Sequence, residues 1–316
     1  MKILANDGVS QSGVELLEKN GHEVILTHVA QEQLENYINT NKVDVILVRS
    51  ATKVRKDLIA ACPSLKLIGR GGVGLDNIDV DFAKTKGVKV INTPAASSES
   101  VAELVIAHLL SGARHLNKSN REMPLEGDSK FKELKKAYAK GIELSGKTLG
   151  IIGIGRIGQT LAKKAIGLGM KVVVHDQFIE NVDVKLDFFD GQSLNFNLKS
   201  ISLDALLSQA DFISLHVPAQ KGYILGAKEM SKMKDTAAVV NTARGGVVDE
   251  KALLEALKNK KLSFAALDVF EDEPTPPIQL LMCPDLSLSP HIGGATLEAQ
   301  DRIGTELAEQ IIEFAK

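Results

Sequence analysis

Short apolar, β-branched runs recur at residues 2–5, 23–26, 43–48, 65–68 and 88–91, separated by segments of helical period such as 14–19 and 31–38. Alternation of that kind predicts a parallel sheet with helices over its faces. Pro94 ends the series, and a stripe through Val101, Leu104, Val105, His108, Leu109 and Gly112 then predicts a long helix. A second series of runs, at 149–152, 172–174, 211–215, 237–241, 262–267 and 286–290, with a helix at 203–207, predicts a second parallel sheet. Between the two series, residues 118–145 are the most charged stretch and are expected to form a solvated helix or arm. Residues 178–200 show no clean period and are assigned no function.

The first run of the second series leads into Gly153-Ile154-Gly155-Arg156-Ile157-Gly158, then into a helical pattern and a further strand that ends at Asp176. Glycines at this spacing, between a strand and a helix, let the backbone turn sharply and approach a pyrophosphate, whose charge the helix start favours. Asp176 lies where an acid would bind a ribose 2′-hydroxyl, and its carboxylate would repel a 2′-phosphate, so NAD is expected in preference to NADP. A glycine-rich turn without a ligand is the bland alternative, and the flanking strands and the acid argue against it.

Ligands of open α/β sheets bind beyond the carboxyl ends of the strands. In the second series those ends carry His216-Val217-Pro218, Thr242-Ala243-Arg244, Asp268 with Glu273 close behind, and His291 with Gly293. Histidine can take a hydroxyl proton and return it, a glutamate bonded to the ring would orient it and favour its cationic form, and arginine can hold a carboxylate. Each has an ordinary structural use, in a salt bridge, an exposed loop or a cap. Their coincidence at three strand ends points to hydride transfer at a carbinol. In the first series Arg49 and Arg70 end successive strands, and Gly71-Gly72-Val73-Gly74 follows with amides free to form an anion nest. A lone arginine there would be expected to pair on the surface; two beside a nest suggest a small, doubly anionic substrate.

Composition narrows this little. The 316 residues suffice for about two domains, and a net charge of −2 excludes a general attraction to nucleic acid or anionic membranes. No apolar stretch approaches a membrane span or a secretory h-region, and Cys62 and Cys283 are isolated. A cytoplasmic protein with reduced thiols and no metal site is expected.

Five motifs, GRGGVGLDNID, the Gly153–Gly158 fingerprint with Asp176, NTARGGVVDE, AALDVFEDEP and SPHIGGAT, together resemble the NAD-dependent D-isomer-specific 2-hydroxyacid dehydrogenases over nearly the whole chain. The resemblance implies an α/β fold of two Rossmann-like, doubly wound parallel-sheet domains, the NAD-binding domain (97–290) inserted into a flavodoxin-like substrate domain (1–96 and 291–316). It implies catalytic roles for Arg244, Glu273 and His291, and contact of Asp268 with the nicotinamide carboxamide. The expected cofactor contacts are Gly153, Gly155, Arg156, Ile157, Gly158, Asp176, His216, Val217, Pro218, Thr242, Ala243, Asp268, His291 and Gly293. The expected substrate contacts are Arg49, Arg70, Gly72, Val73, Gly74 and Arg244. It further implies that the last helix packs on the first domain, and a homodimer through the cofactor domains, with pairing into tetramers left open. The VRSATKV stretch and the pair Gly69-Arg70 are most similar to the phosphoglycerate dehydrogenases, without the C-terminal regulatory domain of longer forms. Siblings acting on glyoxylate or hydroxypyruvate, or an NAD(H)-sensing binding module, are the alternatives.

Overall fold

A computed structural model describes residues 1–316, and its contacts divide them into two units, Met1–Ser100 with Gly294–Lys316, and Val101–Gly293. Strands β1 (Lys2–Ala5), β2 (Glu23–Ile25), β3 (Val45–Val48), β4 (Leu67–Arg70) and β5 (Lys89–Asn92) form the sheet of the first unit. All pairings are parallel, in the order β2-β1-β3-β4-β5. The continuous apolar runs have their cause here: successive side chains of one strand enter different cores. Leu4, Ile46, Val48 and Ile68 join one cluster, and Ile3, Ala5, Val45, Leu47 and Leu67 the other. The helix Leu297–Ala315 supplies Ile303, Leu307, Ala308 and Ile311 to that second cluster, so the last helix does return to the first unit. It meets the helix Gln11–Lys19 at two glycines, where a Cβ on Gly13 would come within 2.7 Å of the Gly304 carbonyl oxygen.

The second unit is built on β6 (Thr148–Ile152), β7 (Lys171–His175), β8 (Asn181–Asp187), β9 (Ser193–Lys199), β10 (Phe212–Leu215), β11 (Ala237–Asn241), β12 (Leu262–Leu267) and β13 (Leu286–Leu288). Six of these make a parallel sheet in the order β13-β12-β11-β10-β6-β7, and β8 with β9 forms a separate antiparallel hairpin. The hairpin gives regular structure to 178–200, where no clean period was read from the sequence. Val182, Val184 and Leu186 alternate along β8, as Leu194, Phe196 and Leu198 do along β9, with Asp190-Gly191 at the turn. Val184 is buried, and Val182, Leu186 and Leu198 pack on the core that includes Leu161, Ala162 and Ala165 of the helix Arg156–Gly167. The apolar stripe after Pro94 becomes the helix Ser98–Ala113, and the charged stretch becomes the helices Leu116–Glu126 and Phe131–Ala137.

Register decides what the edge of this sheet presents. Ile152, Leu215, Asn241, Leu267 and Leu288 pair across five strands in one row. The residues that follow them, Gly153, His216, Thr242, Asp268 and Ser289, therefore leave the sheet together at its carboxyl edge. Strand order reverses between β6 and β10, so Gly153 and His216 flank the switch point where such sheets form a crevice.

Candidate active site

At the switch point Gly153 adopts φ +91°, and a Cβ there would collide with the His216 carbonyl. Only glycine allows β6 and β10 to turn away from each other this closely. Gly155 caps the helix Arg156–Gly167 with no side-chain bond, and a Cβ on it would project into open space. The first N–H groups of that helix thus face an open cradle, the arrangement a pyrophosphate requires. The Asp176 Oδ2 accepts from the Ile154 N–H at 2.9 Å, and its Oδ1 accepts from Phe178 and Ile179 at 2.8 and 3.0 Å. The acid therefore braces the glycine turn while standing at its far side.

Two orphaned atoms lie on the same edge. His216 Nε2 is bonded to Ser214 Oγ at 2.9 Å, which leaves Nδ1 buried without a partner, and Thr242 Oγ1 is likewise buried and unpartnered. Burial pushes His216 down to about 3, so its ring is neutral. Unsatisfied buried polar atoms are costly, and a polar ligand along this edge would satisfy both. Open cradle, acid and orphaned groups fit NAD, and they include the expected contacts Gly153, Gly155, Asp176, His216 and Thr242. Arg156 and Ile157 open the helix, Val217 and Pro218 follow His216, and Ala243, whose N–H donates to Asn241 Oδ1, follows Thr242.

The structure brings Glu273 and His291 together directly. Glu273 Oε1 accepts the Phe270 N–H at 3.0 Å, closing its own loop, and Oε2 lies 2.9 Å from His291 Nδ1. Both side chains remain about one-third exposed, so the other ring nitrogen, Nε2, is left for a reactant. His291 has φ +54°, a left-handed conformation that in a non-glycine residue costs about 1–3 kcal/mol and persists only where its surroundings impose it. Arg244 reaches the same neighbourhood through its loop. A Cβ on Gly245 would strike the Phe270 carbonyl, so the two loops touch backbone to backbone, while Arg244 Nη1 donates to the Ala243 carbonyl at 2.6 Å. Glu250 and Glu271 clasp the loops from behind, each accepting the other's backbone N–H, at 2.8 and 3.3 Å. Burial first, then the carboxylates of Glu271, Asp272 and Glu273, hold Glu250 above the usual range.

Asp268 is 1% exposed, and its carboxylate accepts three protein donors: Ser289 Oγ at 2.6 Å, Ile292 N–H at 2.9 Å and Gly293 N–H at 2.8 Å. It thus anchors the loop around His291. This use was not legible in the sequence, nor was that of His108, which bonds Ser287 and Ser289.

In the first unit Arg49 follows β3 and Arg70 ends β4, whose register pairs Val48 with Arg70. A Cβ on Gly72, at φ +147°, would overlap the Arg70 guanidinium, so the glycine leaves room for that side chain. Arg70 Nη2 donates to Ser50 Oγ at 3.3 Å. Val73 is partly exposed, and its carbonyl accepts from Asn92 Nδ2 at 2.7 Å beside Gly74. Sequence reasoning missed the scaffold of these loops. Asp7 accepts the Arg49 and Thr52 N–H groups at 2.6 and 3.1 Å, and Asn77 Nδ2 donates to the carbonyls of Arg49 and Thr52 at 2.7 and 2.6 Å. The polar residues just after β1 were the available signal.

A cavity of about 330 Å³ opens at the opposite, amino edge of the second sheet, against Lys147, Asp211, Phe264, Asp285 and Ser287, and none of the residues expected to meet cofactor or substrate lines it. No helix is long and apolar enough to cross a membrane.

Comparison with known proteins agrees with this geometry. The family described as D-isomer specific 2-hydroxyacid dehydrogenase, NAD binding domain, matches residues 106–293. The chain is 43% identical to the hydroxypyruvate reductase of Thermotoga maritima over 99% of this chain and 97% of that protein. It is 42% identical to the D-3-phosphoglycerate dehydrogenase of Methanocaldococcus jannaschii over 98% of this chain, and spans 57% of that longer protein. The crystal structure of D-lactate dehydrogenase from Aquifex aeolicus, complexed with NAD and lactic acid, superimposes with a TM-score of 0.77 at 31% identity, covering 100% of this chain and 95% of that one.

Proposed function

Because this chain belongs to the D-isomer-specific 2-hydroxyacid dehydrogenases and uses NAD, we propose that it oxidises D-3-phosphoglycerate to 3-phosphohydroxypyruvate, and the reverse, as the entry step of serine synthesis in the cytoplasm. The observation that carries the substrate is the pair Arg49 and Arg70, delivered by neighbouring strands to one edge with Gly72 opened for the Arg70 guanidinium. Two guanidinium groups suit a phosphate, which takes bidentate, charge-assisted bonds. Val73 and Gly74 add backbone N–H groups beside Gly72, whose own N–H, against the expectation of a free nest, donates to the Arg70 carbonyl at 3.0 Å, and Arg244 holds the substrate carboxylate.

Bound in this crevice, NAD would supply the acceptor for the hydride leaving C2 of the hydroxy acid and, in its reduced form, the donor for the 2-oxo acid. The accompanying hydroxyl proton passes to His291 Nε2, the nitrogen that Glu273 leaves free, and the imidazolium so formed faces the Glu273 carboxylate. In reduction the same nitrogen protonates the oxygen while Arg244 polarises the carbonyl. Gly153, Gly155, Arg156 and Ile157 would hold the pyrophosphate, with Gly158 letting the helix close on the Gly153 carbonyl, where a Cβ would come within 2.2 Å; Asp176 would hold the ribose, and His216 through Pro218, Thr242, Ala243, Asp268 and Gly293 would line the remainder.

The Thermotoga maritima relative favours a second reading, reduction of hydroxypyruvate. NADH oxidation with 3-phosphohydroxypyruvate, hydroxypyruvate, glyoxylate and pyruvate, repeated with NADPH, separates the two. A preference of orders of magnitude in kcat/KM for the phosphorylated acid supports the proposal; an unphosphorylated winner replaces the substrate and leaves the chemistry. Arg70→Ala should cost about 1.5–3 kcal/mol in kcat/KM for the phosphorylated acid, as lost charged hydrogen bonding. We further propose a homodimer through the cofactor domains, on the exposed Leu116, Leu125 and Phe131 of the helices Leu116–Glu126 and Phe131–Ala137; light scattering at the monomer mass would refute it.

A further inference from the structure

We infer that His108 is a positioning residue for His291, acting through a buried chain His108–Ser289–Asp268. The inference rests on His291 being the group that moves the proton. Asp268 bonds Ser289 on one side of His291 and Ile292 and Gly293 on the other, so one carboxylate pins both flanks of the loop that holds the left-handed histidine. His108, on the helix Ser98–Ala113, lies behind it, 6% exposed, with Nε2 3.0 Å from Ser289 Oγ and Nδ1 2.9 Å from Ser287 Oγ. Ser287 lies on β13 and Ser289 two residues on, just past its end, where the Ser289 N–H still donates to the Leu267 carbonyl at 3.0 Å, so both present one face to His108.

The direction of every proton in this chain follows from its end. A carboxylate only accepts, so Ser289 must donate its hydroxyl proton to Asp268. Ser289 Oγ is then an acceptor for His108, whose Nε2 must carry the hydrogen. Nδ1 is consequently an acceptor, and Ser287 donates to it. Burial holds His108 below the ordinary histidine range, consistent with this single neutral tautomer. Remove the imidazole and Ser289 loses the donor that orients it; its hydroxyl can then turn from Asp268, and the loop is released on that flank. Neither His108 nor Ser289 is among the residues proposed to meet substrate or cofactor, so the effect falls on the placement of His291 and hence on kcat.

The test compares His108→Leu, which removes both nitrogens, with His108→Gln, whose amide can donate from near the Nε2 position. Ser289→Ala is the second entry to the chain. His108→Leu should lower kcat by about 10–100-fold, the scale of a misplaced catalytic group, with little change in the Kd for NADH measured by fluorescence. It should also reduce hydrogen-exchange protection of the Ile292 and Gly293 amides and distort the pH profile of kcat. His108→Gln should recover most of each, and His108→Leu/Ser289→Ala should be no worse than the poorer single variant. Retention of kcat, pH profile and amide protection by His108→Leu overturns the inference, as does a glutamine no better than leucine or a lowered Tm alone. If the wild-type protein reduced no 2-oxo acid, the proposed activity would fail by itself. Exchange at Ile292 and Gly293 would still report whether His108 anchors the loop.

Discussion

Glu273 divides its two oxygens between its own loop and His291, and that division makes the carboxylate hard to replace. In Glu273→Gln the amide keeps one acceptor, but its NH2 has to face either the Phe270 N–H or an Nδ1–H. The ring escapes the second clash only by moving its hydrogen to Nε2, the wrong tautomer for accepting a hydroxyl proton. The variant should lose about 10²–10⁴ in kcat at unchanged Tm and NADH affinity, and stopped-flow turnover near wild type would remove Glu273 from the mechanism. Glu250 yields a prediction in pH. Its folded-state value is raised, so its contribution to stability is full below its ordinary value of 4.5 and is lost as pH rises through the folded value. Glu250→Gln keeps an oxygen for the Glu271 N–H and removes the charge. Melting curves should therefore coincide at pH 4 and diverge above it, with the variant the more stable, and a variant less stable at pH 8 would contradict the assigned burial cost. Arg244, Glu273 and His291 are legible in sequence because each is a chemically capable group just past an apolar run. His108 is not, since a histidine within an apolar helical stripe gives no sign of the serines it meets 179 and 181 residues later.

Among the elements, the parallel strands were legible because strands buried on both faces read as unbroken apolar runs bounded by turns. The hairpin β8–β9 was missed although its period is visible, because its apolar residues alternate with Asn, Asp and Lys where a crossover helix is the usual expectation. Only one face of it is buried, so half of its side chains are polar. That the last helix packs on the first unit was expected, but its close contact with the helix Gln11–Lys19 was not, because a glycine within a helical pattern ordinarily reads as a weakness. Here Gly13 faces the Gly304 backbone, which cannot rotate away as a side chain can. Gly13→Ala should therefore destabilise by about 1–3 kcal/mol through overpacking, despite alanine's better helix propensity. A urea midpoint equal to or above wild type would mean that the helices separate at no cost.

For the molecule as a whole, the division into units assigns the cofactor's binding energy to one of them. Every residue proposed to meet NAD, from Gly153 to Gly293, belongs to Val101–Gly293, while the strands β1 to β5 and the last helix belong to the other unit. A ligand that binds only the folded form stabilises it by about 2.7 kcal/mol at a hundredfold excess over its Kd. With NADH at that level and no substrate, hydrogen exchange should slow for amides of β6, β10 and β11 that open by unfolding of their unit. Amides of β1, β3 and β4 should keep their rates. Asp176→Ala should abolish the difference at the same NADH concentration, because it removes the acid proposed to meet the ribose and the brace on Ile154 together. Equal slowing in both units would mean that they unfold as one or share the cofactor. Slowing confined to β1 to β5 would place the nucleotide on the wrong sheet, and the reading of the switch point between β6 and β10 would fall with it.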